Sequence, residues 1–240
     1  MDAHINLDTL ALVKHDLPGA DGRPATRIAD QAGGCPCTGG RVKRMIDVSL
    51  ALLGLMVLAL PMLAVALLIW MTMGGPVIFR HVRVGFGGLA FECLKFRTMV
   101  ADGDKVLARH LAENADAAEE WKQTRKLRND PRITWLGRAL RLSSLDELPQ
   151  LFNVLRGEMS CVGPRPIVVD ELDLYGAEAE KYLKARPGLT GLWQVSGRST
   201  LAYSERVALD AAYVSDWSLL KDLEIIARTV PAMLKSHQTS

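Results

Sequence analysis

Asp146 and Glu147 are adjacent acids with Arg138 and Arg141 just before them. Other cations stand at positions that restrict their movement. Lys95 and Arg97 follow a glycine-rich turn, and Arg165 is held between Pro164 and Pro166, which limits the directions its guanidinium can take. Arg186 and Arg198 flank two further turns, Pro187-Gly188 and Gly197. Several fixed cations with two carboxylates suit a pyrophosphate group. Arginine forks hold phosphate oxygens, and carboxylates hold Mg²⁺ between themselves and the phosphates. One of the acids has another option, direct attack on phosphorus. Taken alone, the pair also fits a helix cap with salt bridges. The cations around it favour the phosphate reading.

The elements that must position these residues follow from pattern and composition. Apolar residues make up 49% of the 240 and charged residues 23%, which are ordinary globular values, so composition alone reveals no membrane protein. The net charge of +2 is too small to point to nucleic acid. Residues 1–40 read as a disordered tail, rich in Gly, Asp and Ala and without an apolar period, and they lack the pattern of a signal peptide. Cys35, Cys37, Cys93 and Cys161 have no zinc-site spacing and are expected to be neither ligands, nucleophiles nor disulfides.

Residues 41–79 read as a membrane element, because the run from Val48 to Phe79 carries no charge. Pro61 lies near its middle and removes a backbone hydrogen bond. Both flanks are basic: Arg41, Lys43 and Arg44 before, Arg80 and Arg83 after. Basic flanks belong in the cytoplasm, so the expectation is a re-entrant helix-break-helix that returns to its own side rather than a span.

Residues 80–240 read as a catalytic domain. The segments VIFRHVRV and LAFECLKF form an expected β-hairpin, and Asp102 to Leu127 a solvated helix. A helix starts near Leu136, and Ser143 or Ser144 is expected to cap the next, with the two acids in its first turn. Glu171 to Lys184, Tyr203 to Ser215 and Asp222 to Lys235 read as helices, the last with an apolar face and basic ends suited to a membrane interface. The fold class is therefore mainly α with a small β-hairpin, monotopic, with amphipathic interfacial helices.

Five strings then carry a specific resemblance: KFRTM (Lys95 to Met99), NDPRIT (Asn129 to Thr134), SLDELPQLFNVLRGEMS (Ser144 to Ser160), VGPRP (Val162 to Pro166) and RPGLTGLWQVSGR (Arg186 to Arg198). In this order, over roughly Arg41 to the C-terminus, they resemble the bacterial sugar transferases, the monotopic polyprenyl-phosphate phosphoglycosyl transferases. The stretch AENADAAEEWKQTRKLRNDPRIT resembles the subgroup that begins exopolysaccharide repeat units with galactose phosphate.

The resemblance implies transfer of a hexose 1-phosphate from a UDP-sugar to undecaprenyl phosphate, with UMP released and Mg²⁺ required. It implies that Asp146 attacks the β-phosphate to form a sugar-phosphoryl-aspartate, while Glu147 places the metal or manages a proton. Lys95, Arg97, Arg141, Pro164, Arg165, Pro166 and Arg198 become the expected phosphate-binding set. The implied location is the bacterial inner membrane, with its lipid as a partner and with the catalytic domain and both termini cytoplasmic. Family members often carry Ser-Pro at the helix break; here the pair is Leu60-Pro61, so the hydroxyl that would take up a freed backbone group is missing. UDP-glucose is the alternative donor, and homo-oligomerisation stays open. Two other readings compete: a single-span protein that binds an anion without turnover, and a soluble metal-dependent phosphotransferase, which the apolar run opposes.

Overall fold

The computed structural model describes residues 37–124, 127–197 and 201–235. The expected tail lies outside the described residues up to position 36. From Cys37 onward the chain is described, and the Thr38 backbone N–H and hydroxyl both donate to the Lys184 carbonyl. The order is α1 (Gly40–Met73), β1 (Ile78–Val84), β2 (Ala90–Phe96), α2 (Gly103–Glu113), α3 (Ala115–Thr124), α4 (Trp135–Ser143), α5 (Gln150–Arg156), β3 (Ser160–Val162), α6 (Val169–Tyr175), α7 (Ala179–Leu183), β4 (Gly188–Thr190), α8 (Leu192–Ser196), α9 (Tyr203–Ser215) and α10 (Leu219–Lys235). The fold is mainly helical, and β1 and β2 form the expected hairpin. A second pair, β3 with β4, is parallel and was not expected.

Helix α1 is 34 residues long, and its most apolar stretch has a mean hydropathy of 2.8 with only 11% of it buried. Met56, Leu60, Leu63 and Trp70 are each more than 60% exposed. A water-facing helix buries one stripe and shows a polar one, and α1 has no polar stripe. At about 1.5 Å per residue it is on the order of 50 Å long, more than a bilayer's hydrocarbon thickness. Pro61 lies inside α1, and helical backbone continues on both sides of it. The expected break is therefore not an interruption of the helix. A proline accepts a helical φ; what it removes is one hydrogen bond, and its ring crowds the preceding turn.

By internal contacts the chain forms two compact units. One comprises the described parts of 1–58, 80–94 and 149–240; the other comprises 59–79 and 95–148. In the first, Ala51 of α1 joins Leu151 and Val154 of α5, Cys161 and Val162 of β3, Tyr213 of α9 and Ile225 of α10 in one core. A buried polar knot ties the start of α1 to that core. Lys43 donates to Asp222 at 2.6 Å, Tyr213 donates to the other oxygen of Asp222 at 2.7 Å, and Asp47 accepts from the Ser160 hydroxyl and the Cys161 N–H. Arg44 donates to the carbonyls of Val154 and Leu155 at 2.5 and 2.9 Å, at the end of α5. Lys43 and Arg44, two of the three basic residues before the apolar run, thus hold the fold, because each finds a buried carboxylate or helix-end carbonyls. Arg41 and Arg80 are exposed.

In the second unit, Val100 donates to the Arg132 carbonyl, Met99 bridges Ile133, and Thr134 donates its N–H to the Thr98 carbonyl. The Thr134 hydroxyl caps α4 by accepting the Gly137 N–H at 2.9 Å. The expected single helix from Asp102 to Leu127 is two. Asn114 takes an extended conformation, and its side chain accepts the Ala117 N–H, starting α3 afresh. Glu171 to Lys184 is likewise divided, at Gly176, whose φ is 50°.

Gly137 controls how closely α4 approaches the Thr98 segment. A Cβ there would overlap the Thr98 carbonyl. Gly137→Ala is expected to destabilise the protein by about 1–3 kcal/mol, read as a lowered thermal midpoint of the detergent-purified protein. A midpoint equal to the wild type's would show that the contact tolerates a methyl group.

Candidate active site

Helix α4 ends at Ser144, whose φ of 56° is left-handed and whose N–H bonds back to the carbonyls of Arg141 and Leu140. A non-glycine residue there is uncommon and cluster sites of function favour it. The chain then makes a short 3-10 turn, Leu145–Glu147, before α5. Neither serine caps the next helix as expected: Ser143 donates back to the Ala139 and Leu140 carbonyls, and the Ser144 side chain caps nothing. The turn has a clear consequence. Asp146 is 9% exposed, while its neighbour Glu147 is half-buried.

Around Asp146 the charges are arranged to be nearly balanced. Lys95, from β2, donates to Glu147 Oε1 at 2.6 Å. Arg141, in the last turn of α4, donates its Nε to the Thr98 hydroxyl at 2.9 Å and acts electrostatically on Asp146. Burial pushes the Asp146 carboxyl up to about 6, and Glu147 adds to the rise, while Lys95 and Arg141 oppose it. The result is a carboxylate more basic than an exposed aspartate, with cations beside it. Among the described residues no three His, Cys, Asp or Glu side chains converge as a metal cluster. The two adjacent acids are the donor set a cation would use here.

Arg97 does something else. It is 7% exposed, and its Nη2 donates to the carbonyls of Met73 and Gly74 at the C-terminus of α1. It was expected to hold phosphate; here its Nη2 is taken by helix-end carbonyls, which attract a cation. Arg186 is similarly engaged, donating to the Gly157 carbonyl at 2.8 Å and lying over Phe86. Arg138 is exposed. In the Asn129 to Thr134 stretch, Arg132 clasps Asp130 with both Nε and Nη2, an internal fork that shapes the loop.

The other expected phosphate-binding residues belong to the first unit. Pro164 is buried, and Arg165 and Pro166 are half-buried. The Arg165 guanidinium lies 5.4 Å from the Trp193 ring centroid. Its backbone N–H donates to Asp210 Oδ2 at 3.3 Å, and Tyr175 donates its hydroxyl to the same oxygen at 2.7 Å. Asp210 and Tyr175 were not foreseen. The available signal was an acid on the inward stripe of α9, among Val207, Ala211 and Tyr213. Arg198 lies outside the described residues.

Asp210 is 2% exposed, and burial raises its carboxyl to about 7 against the hydrogen bonds from Tyr175 and Arg165. An acid whose folded pKa lies above its ordinary 3.8 holds its proton more tightly in the folded chain than in the unfolded one. Its contribution therefore falls as pH rises, from the ordinary value through about 7. Asp210→Asn should remove this dependence, so the variant's thermal midpoint should improve relative to wild type as pH increases across that window. A constant difference between the two proteins over the window would contradict the assignment.

Comparison with known proteins places the chain in a family. Residues 39–236 match the model of the family described as bacterial sugar transferase. The chain is 52% identical over 210 residues to the exopolysaccharide production protein ExoY of Sinorhizobium fredii, covering 88% of this chain and 93% of that protein. It is 47% identical to the undecaprenyl-phosphate galactose phosphotransferase of Salmonella typhimurium, over 81% of this chain and 40% of that protein. It is 42% identical to the UDP-glucose:undecaprenyl-phosphate glucose-1-phosphate transferase of Caulobacter vibrioides, over 80% of this chain and 69% of that protein. With a family match across most of its length and the Asp146 turn, the Lys95 segment and the Arg165 loop all within it, the chain belongs to the bacterial sugar transferase family.

Proposed function

We propose that the protein transfers a hexose 1-phosphate, with galactose favoured, from a UDP-sugar to undecaprenyl phosphate, releasing UMP and starting exopolysaccharide assembly. The observation that carries this is Asp146: a buried carboxylate of raised basicity, delivered by a left-handed turn beside Lys95, Arg141 and Glu147. In the first step a carboxylate oxygen of Asp146 bonds to the β-phosphorus. The bond from that phosphorus to the oxygen bridging the two phosphates breaks, and UMP leaves with the electron pair. In the second step an oxygen of the lipid phosphate bonds to the same phosphorus, and the Asp146 carboxylate departs unchanged. Splitting the transfer lets one site serve two anionic substrates in turn.

The charged residues have separate tasks in this reading. Lys95 and Arg141 offset the repulsion between an anionic nucleophile and a diphosphate. Arg165 holds a phosphate through its fork. Asp146 and Glu147 would hold Mg²⁺, which keeps much of its water and needs only one or two carboxylates besides phosphate oxygens; when bound it neutralises diphosphate charge. Galactose rests on the relatives named for galactose, at 47% and 46% identity. The relative named for glucose, at 42%, supports UDP-glucose as the second reading.

The test of the reaction is release of UMP from UDP-galactose and UDP-glucose in the presence of polyprenyl phosphate. Faster release from UDP-galactose is expected, and equal or faster release from UDP-glucose would reverse the sugar assignment. Asp146→Asn should reduce turnover by at least about 10³-fold, because an amide oxygen is a poor nucleophile. A variant within tenfold of wild type, taken as roughly 1.4 kcal/mol of barrier, would remove Asp146 from the chemistry.

The membrane reading goes with this function. Helix α1 is proposed to enter and return on the cytoplasmic side, with Pro61 setting the bend, and α10, whose Leu220 is 78% exposed, to lie in the interface. Thiol labelling of single cysteines introduced on either side of α1, in intact cells, should report both ends as cytoplasmic. Labelling of either end from outside would refute re-entry, and Pro61→Leu should move the N-terminal end toward the periplasm.

A further inference from the structure

Trp193 is flanked by two guanidiniums. Arg165 lies 5.4 Å from its ring centroid and Arg206, from α9, lies 5.6 Å from it. Two like charges on one ring repel each other, and the ring's negative faces offset only part of that repulsion. Stacking also has a geometric consequence. A guanidinium laid on a ring uses its face, so its edge N–H groups are what it offers an oxyanion. Arg206 also donates Nη2 to the Leu201 carbonyl at 3.1 Å, which orients it on the ring. Three buried atoms in the same group have no partner: the Trp193 Nε1, the Tyr203 hydroxyl and Asp210 Oδ1. Tyr203 packs edge-on against Tyr175, which bonds Asp210, and Asp210 bonds the Arg165 backbone. The orphan atoms, the two arginines and the indole are therefore one connected cluster. The indole N–H is a third donor in a cluster already carrying two cations.

We propose that Arg165 and Arg206, stacked on Trp193, form a paired-guanidinium site for a phosphate group, with Arg206 a binding residue for the transfer reaction. The site selects phosphate chemistry and does not by itself distinguish the nucleotide's phosphates from the lipid's. The proposal rests on the reading that Arg165 holds phosphate, and adds Arg206 and the indole platform to it.

The test uses full-length protein in detergent and two probes titrated separately by calorimetry, UMP and farnesyl phosphate. Wild type, Arg165→Gln, Arg206→Gln and Arg206→Lys are compared, with thermal midpoints checking that each is folded. The expected result is a loss of about tenfold or more in affinity for the same probe in both Gln variants. Arg206→Lys should recover only part of it, since an ammonium keeps the charge without the fork. The probe that responds identifies the source of the phosphate. Loss in Arg165→Gln alone overturns the pair and leaves the Arg165 reading standing. No loss in either Gln variant overturns both. Loss in Arg206→Gln alone overturns a shared site. Full recovery by Arg206→Lys reduces Arg206 to a point charge and overturns the fork. If Arg206→Gln does not fold, Arg206→Lys and Trp193→Leu carry the same comparison, and unchanged affinity in both overturns the proposal.

Discussion

A carboxylate placed beside a second carboxylate and away from water is an unfavourable arrangement, and much of the second unit serves to maintain it. Asp146 is 9% exposed with Glu147 next in sequence. Lys95 reaches across from β2 to Glu147, and Arg141 stands on the preceding helix. Displacing either cation would push the Asp146 carboxyl up further, because each opposes the rise that burial and Glu147 cause. The bonds between the Thr98 segment and the start of α4 hold the cations and acids in one frame. Gly137 lets α4 come close enough for Arg141 to reach the Thr98 hydroxyl. The strained Ser144 turn is consistent with the same requirement: regular helix through Leu145 would give the two acids different directions.

The apolar helix imposes the other constraint. Its side chains are exposed along most of its length, which suits a non-aqueous environment. Its first residues are nevertheless anchored by charge. The Lys43 to Asp222 contact and the Asp47 bonds to β3 are buried, and breaking one partner would leave an uncompensated charge. At its other end Arg97 covers the last carbonyls. The helix is thus joined by polar contacts at both ends to elements that lie outside it.

Much of this was legible in the sequence, for physical reasons. A charge-free run, alternating strands around glycines, and paired acids among arginines each reflect a local rule. The partners of the charged residues did not follow a local rule. Arg97 and Arg186 are the same residue type as Arg141 and lie in equally suggestive motifs, yet each gives one guanidinium nitrogen to carbonyls that only the fold brings near. Asp210 was hidden because its partners, Tyr175 and the Arg165 backbone, are 35 and 45 residues away. The β3–β4 pairing was missed because three-residue strands carry no period, and the Asn114 break because a helix-compatible composition runs through it.

The central claim is that Asp146 carries the sugar phosphate between the two substrates. The most direct measurement is incubation of the purified protein with UDP-galactose labelled with ³²P in the β-phosphate, without lipid acceptor, followed by denaturation. The account predicts label retained on the protein, chased from it when polyprenyl phosphate is added before denaturation, and absent from Asp146→Asn. Label that never stays with the wild-type protein, together with product that forms only when both substrates are present at once, would contradict it.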